Sequence, residues 1–83
     1  MGEVKTYPTP DKTLDATDLI CPEPIMMLHN AINAVAPEKV IEMVATDPST
    51  LRDVPKFCEF LGHELIGQSQ NEQIYRFYIR KGK

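Results

Sequence analysis

Residues 13–35 read TLDATDLICPEPIMMLHNAINAV, and a change of period inside this stretch decides the fold. From Thr13 to Thr17 the residues alternate, with Leu14 and Ala16 on one side and Asp15 on the other, which is the period of a strand. Asp18 to Cys21 is a connection. Beyond it, Ile25, Leu28, Ile32 and Val35 recur at helical spacing with Ala31 beside them, so residues 22–35 are expected to form a helix with one apolar stripe. Pro37 stops that helix, because the residue before a proline is pushed out of helical angles.

Downstream, Lys39–Thr46 alternates again, Ile41, Met43 and Ala45 against Val40, Glu42 and Val44, and reads as a second strand. Asp47-Pro48-Ser49-Thr50 then leads into a helix, with Ser49 or Thr50 as the expected cap of its exposed amides. Leu51, Val54, Phe57, Cys58 and Leu61 are its apolar side, and Gly62 is placed to end it. Pro55 lies inside that span, which predicts a kink or a separate first turn. His63–Ser69 and Ile74–Arg80 read as two further strands joined by a hairpin turn at Gln70-Asn71-Glu72. In the last strand Tyr75, Phe77 and Ile79 face one way and Arg76, Tyr78 and Arg80 the other. The order is β-α-β-α-β-β. Each helix has one stripe to bury and the sheet one face, so the expected fold is an α/β (α+β) two-layer sandwich: a four-stranded mixed sheet with two helices on one face. Residues 1–12, with Gly2, Pro8 and Pro10, read as a flexible arm, leaving 13–83 as a single domain.

Size and charge narrow the function. A domain of 83 residues has one small core and no room for a deep multidomain cleft. Its chemistry must come from one or two residues on a rigid surface, with a partner supplying the rest. The net charge of −3, with Lys and Arg scattered apart from Arg76, Arg80, Lys81 and Lys83, argues against direct nucleic-acid binding. The longest apolar run, Ile25–Leu28, is far too short to cross a membrane. Residues 1–8 contain no signal-like apolar stretch, so a cytoplasmic location is expected, where thiols stay reduced.

The chemistry centres on Cys21-Pro22-Glu23-Pro24, where a connection becomes a helix. With Cys21 as the cap residue, Pro22 takes the first helical position and Pro24 the third, where missing amides cost little. Two prolines then frame one sulfur stiffly. A helix start stabilises an anion, which favours the thiolate. The effect is tempered: the prolines leave the Glu23 N–H as the main nearby donor, and the Glu23 carboxylate opposes a second negative charge. A free cysteine is often just a small buried apolar residue. That reading suits Cys58, which sits at helical spacing with Val54 and Leu61, better than it suits Cys21. The two cysteines form no C-x-x-C pair, and Cys21, Cys58, His29 and His63 match no zinc spacing, so neither a dithiol nor a metal site is expected. Met26 and Met27 follow within a turn and cannot both face inward, so at least one is expected exposed beside the sulfur as a docking residue. His29, expected on the exposed side of the same helix, is a further docking candidate.

These residues resemble the TusA/SirA sulfur-carrier family. The likeness rests on Leu14-Asp15-Ala16, Leu19 and Cys21-Pro22-Glu23-Pro24. It continues through Asp47-Pro48-Ser49-Thr50, Arg52-Asp53-Val54-Pro55, Phe57-Cys58, His63-Glu64-Leu65, Tyr75-Arg76-Phe77 and Ile79-Arg80-Lys81-Gly82, from about residue 12 to the end. The second-helix and hairpin segments resemble the TusA branch more than its shorter relatives. The resemblance implies a two-layer sandwich and a sulfurtransferase role in which Cys21 is loaded with a persulfide by a cysteine desulfurase. It implies onward transfer to a TusBCD-type complex for 2-thiolation of tRNA wobble uridine, without a cofactor or metal; the sequence does not fix the oligomeric state, and a monomer is the default expectation. The alternatives it carries are a regulatory or interaction module and a partner in thiosulfate uptake or another sulfur relay. His29 and Asn30 stand where close relatives tend to carry basic residues, which bears on the desulfurase contact rather than on the sulfur chemistry.

Overall fold

The computed structural model describes residues 9–82. Its elements are β1 (Lys12–Ala16), α1 (Glu23–Asn33), β2 (Val40–Ala45), α2 (Thr50–Leu61), β3 (Glu64–Asn71) and β4 (Ile74–Arg80). One sheet holds the four strands in the order β1-β2-β4-β3. β1 pairs parallel to β2, a geometry that needs a crossover, which α1 supplies. The other pairings are antiparallel. The most apolar strands, β2 and β4, lie at the centre, and the polar β1 and β3 form the edges, where charges and amides discourage further pairing.

The strand alternation read from the sequence is the burial pattern. Leu14, Met43 and Phe77 stand side by side across three strands, as do Ala16, Ala45 and Tyr75. All six are buried in one cluster with Leu28, Ala31 and Ile32 of α1 and Val54, Phe57 and Cys58 of α2. The expected architecture is therefore the observed one: a mixed four-stranded sheet with both helices on one face.

The departures are local. Of the expected arm, residues 1–8 lie outside the described residues, but Asp11 and Lys12 belong to the sheet edge. The Asp11 N–H donates to the Val40 carbonyl at 2.7 Å, and its carboxylate accepts the Val40 N–H at 2.8 Å. α1 begins one residue later than expected, with Pro22 rather than Cys21 as its cap residue. It ends at Asn33, where the Ala34 and Val35 amides tighten onto the Ala31 and Ile32 carbonyls. α2 runs as one helix through Pro55, with no separate first turn. Its first turn is wound from outside: amides 50 to 53 donate to the carbonyls of Asp47, Pro48 and Ser49, so the helix is established before the proline is reached. Ser49 is the cap residue but makes no side-chain cap bond; its own N–H donates to the Asp47 carboxylate. Gly62 ends α2 at φ 79, a left-handed angle that favours glycine. The β3–β4 hairpin is tighter than expected. Asn71 pairs with Ile74, and Glu72 takes φ 58 in a turn that leaves Gln70 and Asn71 in the strand.

Candidate functional site: an exposed thiol between two helix starts

Parallel pairing of β1 with β2 brings the ends of both strands to the same edge of the molecule. The connection after β1 carries Cys21, and the connection after β2 carries Asp47. They meet: the Cys21 N–H donates to the Asp47 carboxylate at 2.7 Å. The same carboxylate accepts the Ser49 N–H at 3.1 Å and the Ser49 hydroxyl at 2.9 Å. Bonds from the Ser49 amide, the Cys21 amide and the Ser49 hydroxyl hold the Asp47 carboxyl below the usual carboxylate range. One carboxylate thus ties the cysteine loop to the start of α2.

The Cys21 side chain is exposed, and its thiol donates to the Asp53 carboxylate at 3.8 Å. Arg52 Nε donates to the other Asp53 oxygen at 2.8 Å. That bond holds the Asp53 carboxyl below its ordinary value, aided by the guanidinium charge and the Cys21 thiol. Sequence reasoning treated Asp47 only as part of a helix lead-in and gave Arg52 and Asp53 no role. Asp47 and Asp53 lie 26 and 32 residues from Cys21, and no local pattern signals such a meeting.

The proline frame is present but shifted. Pro24 is buried in the first turn of α1, while Pro22 and Glu23 are exposed, and the Cys21–Pro22 bond is cis. The Glu23 N–H, expected to serve the sulfur, donates to the Ile20 carbonyl at 2.9 Å instead. Anchoring at this sulfur comes from side chains of the second helix region as much as from the first helix.

Cys21 opens onto a hollow of about 340 Å³ floored by Ile25 and Phe57 and walled by Phe60 and Lys56. It continues past Met26 and His29 to Leu61. Met26 is 58% exposed and Phe60 89% exposed, an unusual display of apolar surface beside a thiol. The methionine pair is divided: Met26 faces this hollow, while Met27 packs against the core on the side of Leu14 and Ala31. Docking by Met27 at the sulfur side is therefore not supported by its placement. His29 is exposed and sets its ring edge-on to Phe57, with centroids 5.9 Å apart. Cys58 is buried, and burial pushes its thiol up to about 11. Among the described residues no three His, Cys, Asp or Glu side chains group as a metal site.

Residues 12–81 match the sequence model of the family described as Sulfurtransferase TusA. The chain belongs to the TusA family. It is 55% identical over 76 residues to a protein named Sulfur carrier protein TusA of Pseudomonas paraeruginosa, covering 92% of this chain and 95% of that one. A protein of the same name from Pseudomonas entomophila is 58% identical over 71 residues, covering 86% and 89%. The crystal structure of a SirA-like protein from Desulfitobacterium hafniense superposes with a TM-score of 0.75 over 87% of this chain and 99% of that one. At 18% identity it supports the fold alone. No helix among the described residues is long and apolar enough to cross a membrane.

Proposed function

We propose that this TusA-family chain is a sulfur carrier that receives sulfane sulfur on Cys21 from a cysteine desulfurase and passes it to a TusBCD-type acceptor, for 2-thiolation of wobble uridine in tRNA. The observation that carries this reading is the contrast between the two thiols. Cys21 is exposed on a proline-framed turn at the lip of an open apolar hollow, whereas Cys58 is sealed in the core.

In loading, the Cys21 thiolate attacks the outer sulfur of the donor's persulfide. A bond forms from Sγ to that sulfur, the donor's own S–S bond breaks, and the donor leaves as a thiolate. In delivery, the acceptor thiolate attacks the same outer sulfur, and the bond to Sγ breaks to restore the Cys21 thiolate. Sulfur changes hands twice with no net oxidation, so the covalent persulfide takes the place of a cofactor. The hollow beside Cys21 offers a partner apolar surface to rest on while its thiol approaches. Both partners need the same sulfur, so they dock in turn, and a monomer suffices. A chain of net charge −3 need not hold the tRNA itself, and persistent free thiols fit a cytoplasmic setting.

The test is to incubate the chain with a cysteine desulfurase and cysteine, then measure its mass. A gain of one sulfur atom that vanishes in Cys21→Ser and persists in Cys58→Ser is expected. No gain with an active desulfurase would reject the carrier reading in favour of an interaction module with an inert cysteine.

A further inference from the structure

The sheet has a second face. Both helices pack against the side that carries Leu14, Met43 and Phe77, so Val40, Glu42 and Val44 of β2 and Arg76, Tyr78 and Arg80 of β4 look the other way. Val40 and Val44 sit there in matching frames. Each has an aspartate beside it on the β1 side, Asp11 for Val40 and Asp15 for Val44. Each has an arginine beside it on β4, Arg80 for Val40 and Arg76 for Val44. Flanking side chains of one kind should shield the two valines alike, yet Val40 is 6% exposed and Val44 only half-buried. Val40 does not belong to the cluster under the helices. Nor does Lys81 spend its side chain there, since its Nζ donates to the Val35 carbonyl at 2.7 Å. Tyr78, two residues from Arg80 on the same face, is half-buried as well, with its hydroxyl donating to Glu42 at 2.8 Å.

What sets the two valines apart is where the chain comes in. Asp11 is clamped at Val40 by two bonds, of 2.7 and 2.8 Å. Pro10, immediately before it, is half-buried and has no N–H with which to extend the ladder, so the backbone leaves the sheet edge beside Val40. Residues 1–8, which lie outside the described residues, read MGEVKTYP and supply Val4 and Tyr7 as apolar side chains. We propose that this segment folds back over the helix-free face of the sheet and seats Tyr7 on Val40 and Tyr78. Tyr7 stands four residues before Asp11, a reach of about 13 Å in extended backbone. From Asp11, Val40 is one strand spacing away, about 5 Å, and Tyr78 lies two spacings away, about 10 Å. Eight extended residues span about 26 Å, more than the roughly 15 Å across four strands. A ring laid over a valine and a second ring removes apolar surface that the sheet would otherwise leave to water. The covered face is then closed to partners, whatever Cys21 carries, and the helix side with its open hollow is left for docking.

The test is NMR on the full chain with labelled valine and leucine methyl groups. Nuclear Overhauser contacts are expected between the Tyr7 ring and the Val40 methyls, unchanged on dilution. Tyr7→Ser should abolish them and move the Val40 methyl signals downfield, as the shielding of the ring is lost. The Leu28 methyls, under α1 on the far side of the sheet, should stay where they are, which separates loss of the cover from loss of the fold. Tyr7→Phe should keep both the contacts and the shifts, because the ring rather than the hydroxyl provides the cover. A mixture of labelled and unlabelled chains identifies the occupant. Contacts that arise only between different molecules would assign the face to a second copy and overturn the proposal. So would the absence of any contact from Tyr7 to Val40, or Val40 methyl signals that do not move in Tyr7→Ser.

Discussion

The two cysteines should differ in reactivity by orders of magnitude, and the structure sets the scale. Cys58 is 3% exposed among Val54, Phe57 and the sheet, and burial pushes its thiol from 9.0 up to about 11. At neutral pH that change alone leaves about a hundredth of the thiolate an ordinary thiol would show, each tenfold matching one pKa unit. A reagent that cannot enter the folded core must instead wait for it to open, and in the opened form the thiol regains its ordinary acidity. A local opening of about 3 kcal/mol, well within the range for a domain of this size, also leaves roughly a hundredth of the reactivity. By either route Cys58 should react with iodoacetamide about a hundred-fold more slowly than exposed Cys21. Mass spectrometry of the native chain should show one adduct, absent in Cys21→Ser and present in Cys58→Ser, with a second adduct appearing on addition of denaturant. A second native adduct forming within about ten-fold of the first rate would refute the reasoning, because neither burial nor the raised thiol could then be real. The same group gives a linked effect on stability. The folded state holds the Cys58 proton while the unfolded chain releases it, so its contribution is full below about pH 9 and is lost as pH rises towards 11.

Other outcomes follow from the packing and the hydrogen bonds. Leu28→Ala, at a fully buried position beneath α1, should cost about 3 kcal/mol and lower the melting temperature by about 10–20 °C, whereas Met26→Ala should stay within about 0.5 kcal/mol; equal effects in thermal melts would contradict the assigned stripe. His63 Nδ1 accepts the Gly82 N–H at 2.9 Å, and burial, then Lys81 and His29, hold its titration below 6.5. Its contribution is thus present above about pH 6.5 and lost as pH falls, so the urea midpoint should drop on acidification in the parent and stay flatter in His63→Gln. Asp47→Ala should speed amide exchange at Cys21 and Ser49 and slow sulfur loading without melting the sheet. Retained protection at both amides would mean that the carboxylate does not tie the two loops together.

Much of the molecule was legible in local pattern. Leu14 and Ala16, then Ile41, Met43 and Ala45, then Tyr75, Phe77 and Ile79 alternate because a strand presents every second residue to one face, and all are buried. Leu28 and Ile32 mark the inner side of α1 by the same logic at helical spacing, and Gly62 ends α2 because glycine takes a left-handed angle without strain. The cysteine just before Pro22 and Pro24 was visible for the same reason: proline fixes its own backbone angle wherever it occurs.

What lay beyond reach is what depends on partners distant along the chain. The expected cap at Cys21 moved to Pro22, and the Glu23 amide went to the Ile20 carbonyl, because a helix start follows the loop that feeds it. Pro55 did not interrupt α2, since the first turn was already held by carbonyls outside the helix. Amino-acid order by itself determined the elements, the apolar faces and the place of Cys21 just before α1, since period and proline act over a few neighbouring residues. Only the tertiary structure decided that β4 lies between β2 and β3, and that Asp47, Arg52 and Asp53 surround Cys21. The physical reason is that a parallel strand pair delivers two separate connections to one edge, and a charge at that edge acts on whatever the fold brings within a few ångströms, however far away it lies in the chain.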